Sequence, residues 1–373
     1  MLEHDLYSET RPQWGDPEST WLRKEGFNGH DWAFCMLLNF GSNVGLYGKL
    51  QHVVDEYYKA RQSKFASTLK GVGLTMEGIE NNPVMYELVS ELPWRNNKFG
   101  WQEWLNNYVE ARYGNINNTK VHDAWMLLAR SVYGASDKVL EQGCHESVLC
   151  ARPALDVYQV SSWSEMEEFY NPDDVIRAAQ LMVEASHEVK ANANFRYDLV
   201  DITRQAIAEK ARYVYAEIVA AYRAKDRKMF DYTTRRFLDI ILQQDRLLSS
   251  IPDFMVGTWI RSARNLGTNT QESNHYEWNA RVQITTWGNR DAAEKGGLRE
   301  YAHKEWNGVL ADFYYPRWKV YFEALADTFD GKPMKNIDFY AMDEAWTLKH
   351  NVYPYEAQGD AVEFAQKAAA EVL

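Results

Sequence analysis

The residues best suited to chemistry sit in Gly71-Val72-Gly73-Leu74-Thr75-Met76-Glu77-Gly78, where an apolar run ends in a carboxylate followed by a glycine. A carboxylate delivered to the end of a buried strand can attack an electrophilic carbon or take a proton, and the glycine lets the backbone turn away sharply. In a barrel of alternating strands and helices, catalytic side chains occupy that C-terminal rim. Pro83 then opens a helix at a position where its missing N–H costs nothing. Glu77 is therefore the first candidate; the plain competing reading is a solvated glutamate in a glycine-rich turn.

What Glu77 could belong to is bounded by composition. The chain has 373 residues and a net charge of -12, with no basic run that could track a phosphate backbone, so nucleic acid is not expected as a partner. Its 14 Trp and 23 Tyr supply flat, amphipathic rings of the kind that stack on sugar faces, although most should be core. No stretch is apolar for the length of a membrane span, and Met1-Leu2-Glu3-His4-Asp5 carries neither a basic nor an apolar signal region. Cys35, Cys144 and Cys150 form no Cys-x-x-Cys pair; free buried thiols are expected, with a Cys144–Cys150 bridge as the alternative. No cluster has metal-ligand spacing, and no cofactor is called for.

The elements that must position Glu77 follow from periodicity. Leu2 to Tyr7 reads as a strand, Trp32 to Phe40 as a strand buried on both faces, Lys49 to Ser63 as a helix, Leu69 to Leu74 as a third strand and Pro83 to Glu91 as a helix. That order predicts a parallel sheet with crossover helices, yet three strands cannot close an eight-stranded barrel. From Trp94 the pattern becomes helical throughout. Val121, Trp125, Leu128 and Val132 mark one face, and Asn171-Pro172 opens another helix as cap and first residue. Further helices are predicted over 100–113, 197–225, 230–249, 254–266, 273–286, 297–328, 337–350 and 360–372, with Pro316 kinking or splitting the long one. The expected organisation is the end of a (β/α)8 barrel over 1–91, then a large all-α domain over 92–373, mostly helical in total.

Five separated stretches carry a resemblance: Asp5-Leu6-Tyr7-Ser8-Glu9, Trp32 through Gly41, Gly71 through Pro83, Arg196 through Gln205, and Tyr314-Tyr315-Pro316-Arg317-Trp318. In this order they resemble the alpha-N-acetylglucosaminidases of glycoside hydrolase family 89, over the later part of that family's length. The resemblance implies a retaining exo-glycosidase acting on a glycan with terminal alpha-linked N-acetylglucosamine, with Glu77 as nucleophile. It also implies an acid/base glutamate in an Asn-Glu motif on an earlier barrel strand. No Asn-Glu dipeptide occurs in this chain, so an upstream segment is expected to complete the barrel and the chain alone to be inactive. Leu6, Phe40, His145, Trp287, Leu298 and Tyr301 match substrate-pocket positions, the last four from the helical domain, so the pocket is expected to straddle the two domains. Leu38 stands where many members have histidine, and Ser42 where a second glycine is common. Members are typically lysosomal, periplasmic or secreted.

Two other readings stay open on the sequence. One is a non-catalytic helical module that holds a glycan or another partner through its Trp and Tyr residues. The other places inverting chemistry within the helices, using Asp198, Asp201 or Glu277. Asp198 and Asp201 share one helix face, and their simpler reading is as partners of Arg196, Arg204 or neighbouring helix ends.

Overall fold

A computed structural model describes residues 1–15, 25–114, 116–136, 146–161 and 168–373. The chain forms two compact units, Met1–Cys144 with Phe169–Asn171, and His145–Glu168 with Pro172–Leu373. Among the described residues the first unit holds a parallel three-stranded sheet in the order β1 (Leu2–Asp5), β2 (Asp31–Met36), β3 (Leu69–Leu74). The central strand β2 is buried from Trp32 to Met36. This is what a nearly continuous apolar run predicts for a strand covered on both faces.

Helix α1 (Leu50–Gln62) connects β2 to β3 and sets Tyr57 edge-on against Phe34 at 5.6 Å. Helix α2 (Pro83–Glu91) follows β3 with Pro83 in its first turn. The strand expected to run to Phe40 ends at Met36, because Asn39, Gly41 and Ser42 adopt left-handed backbone angles that no strand can contain.

Helices α3 (Trp101–Tyr113) and α4 (Thr119–Arg130) belong to this same unit. Their aromatic residues form a continuous row: Trp104 stacks on Tyr108 at 5.4 Å, Tyr108 meets Trp125 edge-on at 5.4 Å, and Trp125 stacks on Tyr133 at 6.3 Å. Tyr133 in turn hydrogen-bonds Asn82 at 3.0 Å, and the Val132 carbonyl accepts from the Gly48 N–H at 2.9 Å. The compact unit thus runs beyond residue 91, and part of the aromatic richness is spent on packing rather than on a ligand.

In the second unit α5 (Pro172–Val189), α7 (Arg227–Leu248) and α12 (Ala361–Val372) pack around α6 (Ala193–Arg223). Every residue of α6 from Asp198 to Glu209 is buried, so this helix has no solvent face over three turns. Short polar caps begin the helices: Asn192 accepts from Phe195 N, Asp226 from Met229 N, and Asp360 from Val362 N and Glu363 N. Phe237 and Trp318 meet at 4.8 Å in the core. Helices α8 (Val256–Arg264), α9 (Thr270–Gln283), α10 (Tyr315–Phe329) and α11 (Phe339–Thr347) complete the unit.

The single helix predicted over 297–328 is not formed. Gly297 to Gly308 is irregular, with positive φ at Gly297, Glu300 and Gly308. A π turn at Leu310–Tyr314 then leads into α10, which holds Pro316 in its first turn. Proline removes a donor and clashes with the carbonyl four residues back, so a widened turn before it is the physical accommodation. Cys35 and Cys150 are free buried thiols, and Cys144 lies outside the described residues. No described helix is long and apolar enough to cross a membrane.

A buried acid makes this unit's stability sensitive to pH. Glu146 is fully buried and accepts hydrogen bonds from Val160 N at 2.7 Å, Ser161 N at 2.9 Å and the Ser161 hydroxyl. Burial outweighs these bonds and pushes its pKa from 4.5 up to about 8. Because the folded pKa lies above the unfolded one, the contribution to stability is whole below the unfolded value and is lost as pH rises toward the folded value. Glu146→Gln, which is neutral at every pH, is expected to flatten the fall in melting temperature between roughly pH 5 and 8.5. Parallel curves for parent and variant would contradict a neutral buried acid.

Candidate active site

The C-terminal ends of all three strands meet at one rim. Beyond β3 the ladder continues without strand geometry: Thr75 N donates to Met36 O at 3.0 Å, and Glu77 N donates to Leu38 O at 3.4 Å. The Thr75 hydroxyl donates across to Leu6 O at 2.7 Å, joining the ends of β1 and β3 over β2. Glu77 is exposed, and its Oε2 accepts from the Gly41 N–H at 2.7 Å. One carboxylate oxygen is therefore oriented by a backbone donor.

The turns around Glu77 are set by two asparagines. Asn39 and Asn82 both adopt left-handed angles, with φ of 56 and 58°. Asn82 Nδ2 donates to Asn39 Oδ1 at 2.8 Å, and Asn39 Nδ2 donates to the Gly78 carbonyl at 2.9 Å. Asn82 Oδ1 accepts from Tyr47 N and from the Tyr133 hydroxyl, both at 3.0 Å. Gly78 is required by crowding: a Cβ there would lie 2.2 Å from Ser42 Oγ. Behind the rim, Glu9 Oε1 accepts from Leu37 N at 3.2 Å, and burial raises the Glu9 pKa well above the ordinary carboxylate range.

The other rim candidates are placed as follows. Leu6 is 56% exposed at the end of β1, so it is no core leucine. Phe40 is half-buried, with Tyr7 edge-on at 5.6 Å. Leu38 is buried and contributes its carbonyl to Glu77 N.

In the helical unit, Trp287, Leu298 and Tyr301 occupy one loop system. Trp287 has φ 60°, is 36% exposed, and meets Tyr301 edge-on at 5.1 Å. Tyr301 N donates to Leu298 O at 3.2 Å. Leu298 and Tyr301 are half-buried, so the three present partly open apolar surface. His145 lies outside the described residues.

The carboxylates that a wholly helical mechanism would need are committed elsewhere. Asp201 is bonded to Arg204 at 2.8 Å, and Arg204 also reaches Glu305 at 2.6 Å, all of them buried. Burial lifts the Asp201 pKa to about 6 against the opposing pull of Arg204. Asp198 is likewise buried. Arg196 instead donates to the Lys190 carbonyl at 2.8 Å. Glu277 is buried and bonded to Arg264, Arg281 and His350; burial raises its pKa, but these three bonds outweigh it and hold the group below the ordinary value. A buried carboxylate neutralised by cations is a structural anchor, not a poised acid or base. Among the described residues no group of His, Cys, Asp and Glu could hold a metal ion.

Residues 1–96 match the model of the alpha-N-acetylglucosaminidase TIM-barrel domain, and 104–371 that of its C-terminal domain. Human alpha-N-acetylglucosaminidase is 33% identical over 98% of this chain, which corresponds to 47% of the human protein. A solved family 89 glycoside hydrolase from Clostridium perfringens, in complex with PUGNAc, superposes with a TM-score of 0.91 at 30% identity, covering 100% of this chain and 42% of that one. The same bacterial enzyme, with two glutamates replaced by glutamine, has been solved in complex with its substrate GlcNAc-alpha-1,4-galactose, at a TM-score of 0.91. The chain thus spans a little under half the length of these relatives, as the last strands and helices of their barrel followed by their helical domain, and it belongs to the alpha-N-acetylglucosaminidase family, glycoside hydrolase family 89.

Proposed function

We propose that this chain supplies the nucleophile and part of the sugar-binding surface of a retaining exo-glycosidase that hydrolyses terminal alpha-linked N-acetylglucosamine. The observation carrying this reading is the exposed Glu77 carboxylate at the sheet rim, oriented by the Gly41 N–H at 2.7 Å. Glu77 attacks the anomeric carbon, the glycosidic C–O bond breaks, and a glycosyl ester on Glu77 results; water then releases the sugar with a second inversion. The proton for the leaving oxygen must come from a second carboxyl group about 5 to 5.5 Å away, which then serves as base toward water. We assign that role to an Asn-Glu motif outside this chain, since the dipeptide is absent here.

Leu6 and Phe40 from the rim, and His145, Trp287, Leu298 and Tyr301 from the helical region, are the proposed substrate contacts. The bacterial relative's complex with GlcNAc-alpha-1,4-galactose supports a glycan of this type as ligand, and its paired Glu-to-Gln substitutions suit a two-carboxylate scheme. The division of the sequence near residues 92 to 99 is proposed as the end of barrel-derived sequence, although the compact unit extends past it.

In the full-length enzyme, Glu77→Gln keeps size and hydrogen bonding but removes the attacking anion, so turnover should fall by at least about a thousandfold with an unchanged melting curve. Near-normal rates on an aryl alpha-N-acetylglucosaminide would contradict the assignment. The 373-residue chain alone should be strongly helical by circular dichroism and inactive on aryl and natural alpha-N-acetylglucosaminides, regaining activity when the preceding barrel segment is supplied. Hydrolysis by the purified chain would send the search for the acid/base to its own carboxylates.

A further inference from the structure

The surface formed by Trp287, Leu298 and Tyr301 is partly open to solvent at all three residues. Its backbone is also disfavoured locally: Trp287 and Glu300 both have φ of 60°, a region that L-residues occupy only when surrounding contacts demand it. The contacts that demand it here are ionic and buried.

Glu300 closes the loop at one end, its N–H donating to the Thr285 carbonyl at 2.9 Å, two residues before Trp287. Its carboxylate accepts from the Arg317 guanidinium and from the Tyr314 hydroxyl at 3.3 Å. The middle of the loop is held by Glu294, which accepts from Arg152 at 2.6 Å. Arg152 also donates to Asp343 Oδ2 at 3.2 Å, and Asp343 Oδ1 lies 3.6 Å from Arg317. Two arginines and three carboxylates therefore form one chain of charges that grips the loop at Glu294 and at Glu300, with Leu298 between these positions and Tyr301 immediately after.

Glu300 and Arg317 are each 1% exposed, so neither can touch a substrate directly. A planar guanidinium held by two buried carboxylates is also a rigid reference frame, since neither partner can be removed without leaving an uncompensated charge.

We infer that Glu300 and Arg317 are positioning residues that set the orientation of Trp287 and Tyr301 for sugar binding. This rests on the proposed function, in which those two rings contact the substrate.

The test is a double-mutant cycle on the full-length enzyme with an aryl alpha-N-acetylglucosaminide, comparing Glu300→Gln, Trp287→Ala and the double variant. Glu300→Gln should raise KM at least fivefold with kcat within about twofold, and in the Trp287→Ala background it should raise KM little further. The cycle is accompanied by 19F spectra of 5-fluorotryptophan-labelled protein, in which the Trp287 resonance is identified by its loss in Trp287→Phe. That resonance should shift or broaden in Glu300→Gln. Arg317→Lys, which keeps the charge but loses the fork, replaces Glu300→Gln if the latter does not fold.

A KM effect that simply adds to that of Trp287→Ala, together with an unmoved Trp287 resonance, would overturn the positioning role. If Trp287→Ala itself leaves KM unchanged, the fault lies with Trp287 as a substrate contact, and the 19F spectrum still decides whether Glu300 orients that ring.

Discussion

The candidate active site depends on one hydrogen bond between two side-chain amides, Asn82 Nδ2 to Asn39 Oδ1 at 2.8 Å. It links the turn that ends β2 to the residue that begins α2, and Glu77 and Gly78 lie in the segment these two asparagines bracket. Both residues are buried and both hold left-handed backbone, which asparagine tolerates better than other non-glycine residues. With the Asn39 amide donating to Gly78 O, the path of the chain just after Glu77 is fixed from outside the loop itself. A nucleophile must be held to within a fraction of an ångström of its attack line, and a glycine-flanked loop could not achieve that unaided.

The protein treats its carboxylates in two distinct ways. Asp201, Glu277 and Glu300 are buried and answered by arginines, a use that organises helices and loops. Glu77 is exposed, and a backbone N–H orients one of its oxygens. That contrast in burial separates the proposed nucleophile from the scaffold carboxylates more sharply than residue type does.

Much of the scaffold was nevertheless legible beforehand. The third strand ends at Leu74 and α2 begins at Pro83, as the apolar run and the proline dictated; α5 opens at Pro172 as expected, and α12 lies within a residue of its expected limits, where the Asp360 cap and the periodicity agree. The failures share a cause. The loop from Gly297 to Gly308 carries a helix-like pattern of apolar residues, but its conformation is imposed by the buried Glu300–Arg317 contact with a residue seventeen positions away. The end of β2 at Met36 likewise follows from Asn39's tertiary bonds, and not from any weakening of hydrophobicity in Leu37-Leu38. Trp104, Tyr108 and Trp125 could have served a sugar by type; their burial and their contacts with one another assign them to the core.

The central claim is that Glu77 becomes covalently glycosylated. The direct measurement is to treat the full-length enzyme with a ring-fluorinated alpha-N-acetylglucosaminyl donor that forms the ester quickly and hydrolyses it slowly, then to digest with pepsin and map the peptides by mass spectrometry. The account predicts one added fluorosugar on the peptide containing Glu77, absent from Glu77→Gln. A sugar on any other carboxylate, or inactivation by the donor with no trapped ester, would contradict it.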